Sequence, residues 1–415
     1  MAGLRSQLDQ LRKRVAKIDR KFAVSPPTRG RPDPAPERYF VEEYIEGREV
    51  VTAAGKHFES ERLYERHRRH GSMDISALED LPDDLLGAIS KHEISACPPA
   101  RWCFLDTETT GLAGGSGTCA FLVGVGRITP EGFRVRQFFM RDFGEEPSLL
   151  LALEEHLREF DVLVTYNGKT YDVPLLETRY RMARSRPPFA RLGHLDVLHG
   201  ARRLWKLRFE SCRLVDLENA IFGVEREGDL PGEMIPYVYF EYLRTREAGR
   251  LAPIFHHNAT DILSLACLTG VAPFAFQSPR DAALRHGAEL LGLGRWLRQA
   301  DQIEEALALF RRAVDAGLPD ALLFRALWDI GQLEKKRANP DAALAIFTDL
   351  SACRNEFQAR ALVELAKHYE HQERNYAMAL EMTRAAIELQ DSADLRRRET
   401  RLRRRTATPR PRRLL

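Results

Sequence analysis

The chain has 415 residues, 44% hydrophobic and 30% charged, a composition that supplies two or three globular cores and excludes a disordered or fibrous chain. Its 63 Lys and Arg nearly balance 60 Asp and Glu, so the net charge of +3 names no partner. No apolar run approaches the roughly 18 residues of a membrane helix, and the charge-laced N-terminus has no secretory h-region. Six cysteines without a CxxC pair exclude a zinc ribbon or disulfide frame and point to a reducing, cytoplasmic setting without a membrane.

Residues 1–24 read as a basic amphipathic helix. Leu4, Leu8, Leu11, Val15, Ile18 and Phe22 recur at heptad steps, and the other faces of 1–22 carry seven Lys and Arg against two Asp. The helix either docks on its own protein or mediates self-association. Residues 25–37 form a stiff linker, with five prolines in the twelve residues 25–36. Residues 38–98 read as a folded N-terminal extension, with a strand pair around the Gly turn in EVVTAAGKHF and short helices in DISALEDLPDDLLGAIS.

From residue 99 to 273 the pattern is α/β. RWCFLDTE, AFLVGVGRI and FRVRQFFMRD are three strands in series. PSLLLALEEHLREF is a helix, DVLVTYN a fourth strand, DVPLLETRYRMARS a second helix, LGHLDVLHGARRLW a strand-to-helix unit and HHNATDILSLACLTGV a late helix. This order predicts a mixed sheet flanked by helices. From 278 to 391 only helical periodicity remains. EEALALFRRAV, DAALAIFTDLS and YAMALEMTRAA share an Ala-Leu step at 306–307, 343–344 and 379–380, each preceded by another helix. A 36–37-residue period of helix pairs predicts tetratricopeptide-like repeats, a surface that could recruit a protein partner. The tail, 392–415, holds ten Arg against two acids and is expected to be disordered.

FLDTETTGL, residues 104–112, ends an apolar strand with Asp106 and Glu108. Residues i and i+2 of a strand share a face, so two carboxylates repel there unless solvent or a hard cation satisfies them. The glycine-rich AGGSG that follows lacks the GK[ST] ending of a triphosphate-binding loop. Downstream, LVTYNGKTYDVPLL closes a strand with Asn167 and places Asp172 at a helix start, where capping is the plain alternative. HHNATDILSLACL puts His257 and Asp261 one turn apart on a helix. Three segments thus offer four carboxylates, with Asn167 and His257 beside them.

FLDTETTGL, TYNGKTYDVPLL and HNATDILSL resemble the three motifs of the DnaQ-like, or DEDD, 3′–5′ exonucleases of the ribonuclease H-like superfamily. The stretch from about 100 to 272, with HLDVLHGARRLW and FESCRL, is similar to the YprB-type ribonuclease H-like domain proteins, which often carry tetratricopeptide-like repeats. The resemblance implies that Asp106, Glu108, Asp172 and Asp261 hold two Mg²⁺ or Mn²⁺ ions. It implies hydrolysis of phosphodiester bonds at single-stranded DNA or RNA ends. His257, four positions before the last Asp, takes the place of the general base, with His256 as the fallback. Thr107, Asn167, Tyr171 and His256 are expected beside the substrate. The other readings are a nucleic-acid-binding scaffold whose repeats recruit a partner, and a structure-specific endonuclease.

Overall fold

The computed structural model describes residues 41–111, 117–281 and 284–407. The predicted N-terminal helix and proline-rich linker lie outside these residues, as do 112–116 of the glycine-rich loop and 408–415 of the tail. The chain divides into two units, one comprising residues 1–202 and 211–277, the other 203–210 and 278–415.

In the first unit, β1 (Arg48–Thr52) and β2 (Gly55–Glu65) form a hairpin whose turn needs Gly55 at φ 125°. Then come β3 (Arg69–His70), β4 (Met73–Asp74) and α1 (Leu85–Ile89). The three predicted strands follow as β5 (Trp102–Thr109), β6 (Ala120–Thr129) and β7 (Gly132–Phe139). After α2 (Glu146–Leu157) the chain alternates through β8 (Val162–Thr165), α3 (Asp172–Met182), β9 (Gly193–Asp196) and α4 (Val197–Trp205). Four further helices complete the unit: α5 (Leu214–Phe222), α6 (Ile235–Thr245), α7 (Ala252–Thr269) and α8 (Ala272–Gln277).

Seven strands make one mixed sheet in the order β1-β2-β7-β6-β5-β8-β9. The β5–β8 and β8–β9 pairs are parallel and the others antiparallel. The segment 38–98, expected as a separate extension, supplies two of these strands: β2 pairs with β7 from Phe58↔Phe139 to Glu65↔Gly132. Sequence periodicity sees strands but not which partner they choose, so this continuity was hidden.

Helices cover both faces of the sheet. Phe138 turns to His156 of α2, with ring centroids 5.7 Å apart, whereas Phe139 turns to Phe255 of α7 at 5.1 Å. Alternation along β7 therefore puts α2 and α7 on opposite faces. α7 lies close because β6 reads GVG at its middle. A Cβ on Gly124 would stand 2.2 Å from Asn258 Oδ1, and one on Gly126 would stand 2.5 Å from Ile262 Cγ2. The stretch Ala248–Gln277 is long and apolar enough to cross a bilayer, but most of it is buried in this unit; its apolarity is that of a core helix.

The second unit contains α9 (Gly287–Gln299), α10 (Ile303–Asp315), α11 (Asp320–Lys336), α12 (Pro340–Ala352), α13 (Gln358–His371), α14 (Tyr376–Leu389) and α15 (Ala393–Ala407). Each helix packs on the next in sequence. The alanines of the shared Ala-Leu steps, Ala306, Ala343 and Ala379, are all buried, where a small side chain lets neighbouring helices approach. Residues 393–407, expected to be disordered, form α15 instead. Leu395, Glu399 and Leu402 recur at steps of four and three and are buried. The arginines around them find an acid: Arg398 and Arg401 each reach the fully buried Glu370 side chain at 2.9 Å. Counting charge without that partner made the segment look unable to fold.

Candidate active site

Asp106 lies opposite Gly124 in the β5–β6 ladder and therefore on the face covered by α7. Glu108, two residues on, shares that face, and the ladder shifts register between Glu108 and Thr109. Asn258 of α7 donates through Nδ2 to Asp106 Oδ2 at 2.9 Å and to the Asp106 carbonyl at 3.3 Å. Asn258 Oδ1 in turn accepts from Gln137 Nε2 of β7 at 2.9 Å. One amide thus fixes both the first carboxylate and the height of the helix that carries the last.

Thr107, expected at the substrate, faces the other way, and its hydroxyl donates to Asp172 Oδ1 at 2.5 Å. Asp172 is the first residue of α3. Tyr171 occupies the cap position, and no side chain caps this end, so the capping alternative for Asp172 does not apply. The loop before α3 is held from below by buried Asp196, whose carboxylate accepts from the backbone N–H of Asn167 at 2.8 Å and of Lys169 at 3.1 Å. Asn167 takes the left-handed conformation, φ 67°, which asparagine tolerates better than most residues. Tyr171 is 59% exposed at the start of α3.

His257 and Asp261 lie one turn apart on α7, with His257 Nε2 3.6 Å from Asp261 Oδ2. His257 Nδ1 donates to Asp229 Oδ2 at 2.8 Å, which turns Nε2 toward the acids. His256, the adjacent residue, is exposed and stands 3.4 Å from Arg62 Nη1 through its Nδ1. Arg226 reaches Asp261 Oδ1 at 2.5 Å, Asp229 Oδ2 at 3.3 Å and the buried carboxylate of Glu218. Ser264 of α7 also donates to Glu218.

The electrostatics are those of crowded carboxylates. Loss of water raises Asp106 well above the usual carboxylate range, and Asp261, Glu108 and Asp172 push it further. Burial pushes Glu108 up to about 8; His257 opposes the shift while Asp261 and Asp172 add to it. Burial lifts Asp172 to about 6 against the hydrogen bond from Thr107. For Asp229 burial is outweighed by the His257 hydrogen bond and the nearby positive charges, so it stays below the usual range. His257, expected in the place of the general base, is pushed up to about 10: burial would lower it, but the Asp261 charge and the Asp229 hydrogen bond prevail. Burial opposes charge on Arg226 too, yet Asp261 and Glu218 raise its pKa.

Six carboxylates (Asp106, Glu108, Asp172, Glu218, Asp229 and Asp261) are thus met by two cationic side chains, Arg226 and His257. Among the described residues no three His, Cys, Asp or Glu side chains already close on a point as metal ligands do. Asp106 is turned onto Asn258, Asp172 onto Thr107, and Asp261 onto Arg226. The excess of negative oxygen donors fits a hard divalent cation, with Asp106, Glu108, Asp172 and Asp261 as the residues to hold it.

Sequence reasoning misses Asp229, Arg226 and Asn258. Asp229 and Arg226 lie in an irregular stretch with no periodicity to mark it. Asn258 looks like one polar residue on a core helix.

Residues 103–272 match the RNase H superfamily. RNase H-like nucleases act on nucleic acid and generally use divalent metals. Over 343 residues, 81% of this chain and 81% of the relative, the sequence is 33% identical to the protein of Bacillus subtilis (strain 168) named "Uncharacterized protein YprB". With an RNase H superfamily domain over residues 103–272, a mixed seven-stranded sheet and an all-helical C-terminal region, the chain belongs to the family of YprB.

Proposed function

We propose that this protein is a divalent-cation-dependent 3′–5′ exonuclease that hydrolyses phosphodiester bonds at single-stranded DNA or RNA ends. The observation that carries this reading is that four acids from three separate elements, Asp106 and Glu108 of β5, Asp172 of α3 and Asp261 of α7, gather in a site short of positive charge, where burial and the neighbouring carboxylates hold Asp106 and Glu108 above the usual carboxylate range. Mg²⁺ or Mn²⁺, two ions in the family pattern, would supply charge neutralisation and Lewis acidity there. The chain's own residues do the positioning. Asn258 orients Asp106, and Thr107 orients Asp172. Asp229 holds one nitrogen of His257, so that the other is the one available to carry a proton at the reacting phosphate. The placement of His257 among the acids, with His256 turned away to Arg62, supports the four-spaced residue over its neighbour. The exposed ring of Tyr171 offers a face on which a base can stack. A cytoplasmic location accords with six free cysteines, and the helical repeats offer a surface for a protein partner.

The test uses the full chain with 5′-end-labelled single strands of DNA and RNA, in Mn²⁺ and in chelator. Stepwise shortening from the 3′ end, abolished by chelator and by Asp106→Asn, is the expected result. Internal cuts would move the assignment to an endonuclease, and intact strands under every cation would remove the nuclease reading.

A further inference from the structure

A cavity of about 440 Å³ opens beside His256 of α7, within the usual size of a small-ligand site, about 300–1,000 Å³. Arg62 and Tyr64 of β2, Arg68 just before β3 and Arg69 at its start line it together with His256 and Arg226. Asp229 lines it as well. Asp229 and Arg226 therefore border the cavity on one side and touch His257 and Asp261 on the other. The cavity and the acid cluster are neighbours through shared residues.

Its lining is built for an anion. Among the described residues Arg62 is held only by the ring nitrogen of His256, at 3.4 Å, and Arg68 lies over the Tyr64 ring, 5.3 Å from its centroid. Among the described residues neither of these arginines is paired with a carboxylate. Arg69 donates to the Ser72 carbonyl at 2.8 Å. Glu225 and Glu227 also line the cavity, but both are exposed. Tyr64 gives an independent sign. It is 4% exposed, and its hydroxyl is buried without a hydrogen-bond partner among the described residues. A buried hydroxyl without a partner is costly, and an acceptor oxygen entering the cavity would satisfy it. Planar guanidinium groups match phosphate oxygens in the same way.

We infer that this cavity is a phosphate-binding subsite that holds a phosphodiester of the substrate strand adjoining the one at the acid cluster, with Arg62, Arg68 and Tyr64 as its contacts. The inference rests on the nuclease reading and adds to it. The contacts come from residues 62–68, which precede the matched RNase H stretch at 103–272. The β2 hairpin thus joins the substrate cleft as well as the sheet.

The experiment measures binding and turnover of a fluorescent single-stranded oligonucleotide. Affinity is read by anisotropy in the full-length Asp106→Asn background, so that no strand is cut, at several salt concentrations. Arg62→Ala/Arg68→Ala should weaken Kd about tenfold and flatten the log–log salt slope by about 0.7 for each phosphate no longer neutralised. In the otherwise wild-type chain the same pair should raise KM more than it lowers kcat. Tyr64→Phe removes only the partnerless hydroxyl and keeps the ring, so it tests the site without risk to the fold; it should weaken Kd about threefold. Unchanged affinity, salt slope and KM in both variants, with activity still abolished by Asp106→Asn, overturns the subsite and leaves the nuclease reading standing. A parent chain that binds strand without cutting it overturns the nuclease reading, while the affinity of the variants still decides the subsite. A parent chain that binds no strand overturns both.

Discussion

Asn258 and Asp106 are joined twice: the Asn258 amide donates to the Asp106 carboxylate at 2.9 Å and to its backbone carbonyl at 3.3 Å. Asn258→Leu keeps the size of the side chain but takes from Asp106 its amide donor and leaves Gln137 with only the Phe255 carbonyl to donate to. Each buried polar group left unpaired costs about 1–3 kcal/mol, so the melting temperature should fall by several degrees, at about 2–4 °C per kcal/mol. Nuclease activity should fall with it. A variant that melts and cleaves like the parent would show that this amide holds nothing in place.

Asp229 acts through His257. Asp229→Asn removes the charge behind the imidazole but keeps the side-chain shape, and should lower kcat about 10²-fold with little change in KM. His257→Gln should cost at least as much. Because the two residues act as a unit, the double variant should be no slower than His257→Gln alone. Multiplied losses in the double variant would place Asp229 in a separate role.

Cation binding can be read without catalysis. Mn²⁺ at about 100 times its Kd should stabilise the parent chain by about 2.7 kcal/mol, visible as a rise in melting temperature. In Asp106→Asn and in Asp261→Asn the rise should shrink or vanish. An equal rise in the parent and both variants would mean that the ion sits elsewhere.

Three histidines outside the acid cluster set an acid limit on stability. Burial pushes His70, His156 and His194 each down to about 4. An unfolded histidine takes up its proton near pH 6.5, whereas these do so only near 4. Their contribution is therefore complete above about pH 6.5 and is lost as the pH falls from there toward 4. Unfolding at pH 5 should accompany proton uptake, and His194→Gln should reduce that uptake by about one proton. Melting temperatures independent of pH between 6.5 and 4.5 would contradict the burial of these rings.

Glu370 is the anchor of α15. Glu370→Ala leaves Arg398 and Arg401 near one another without their acid, and should destabilise the helical unit by about 1–3 kcal/mol, the range for losing a charged hydrogen-bond partner. Hydrogen exchange would show the loss in α15 first. Unchanged protection there would mean that Leu395 and Leu402 hold the helix unaided.

What the sequence reveals of this site depends on how local the signal is. Asp106 and Glu108 stand out because strand alternation puts them together on one face at the end of an apolar run. His257 and Asp261 stand out through helical spacing. The same argument cannot find Asp229 or Arg226, whose roles arise from a loop that meets α7 only some 30 residues later in the chain. Nor does it anticipate that Thr107 meets Asp172, since alternation tells which face a side chain takes but not which helix start comes to meet it. In the fold, the strands and helices of 100–200 are legible from periodicity, whereas the choice of β2 as the partner of β7, and of Glu370 as the partner of an arginine-rich helix, depends on contacts far apart in sequence.

The pairing of β2 with β7 has a practical consequence. A fragment cut to the matched residues, 103–272, would lack β1 and β2 and uncover the backbone of β7 along eight paired positions, Gly132 to Phe139. Unpaired N–H and C=O groups in a row, on a strand with three phenylalanines, invite other copies to add themselves edge to edge. Such a fragment would clump in solution, and its insolubility would say nothing about its chemistry.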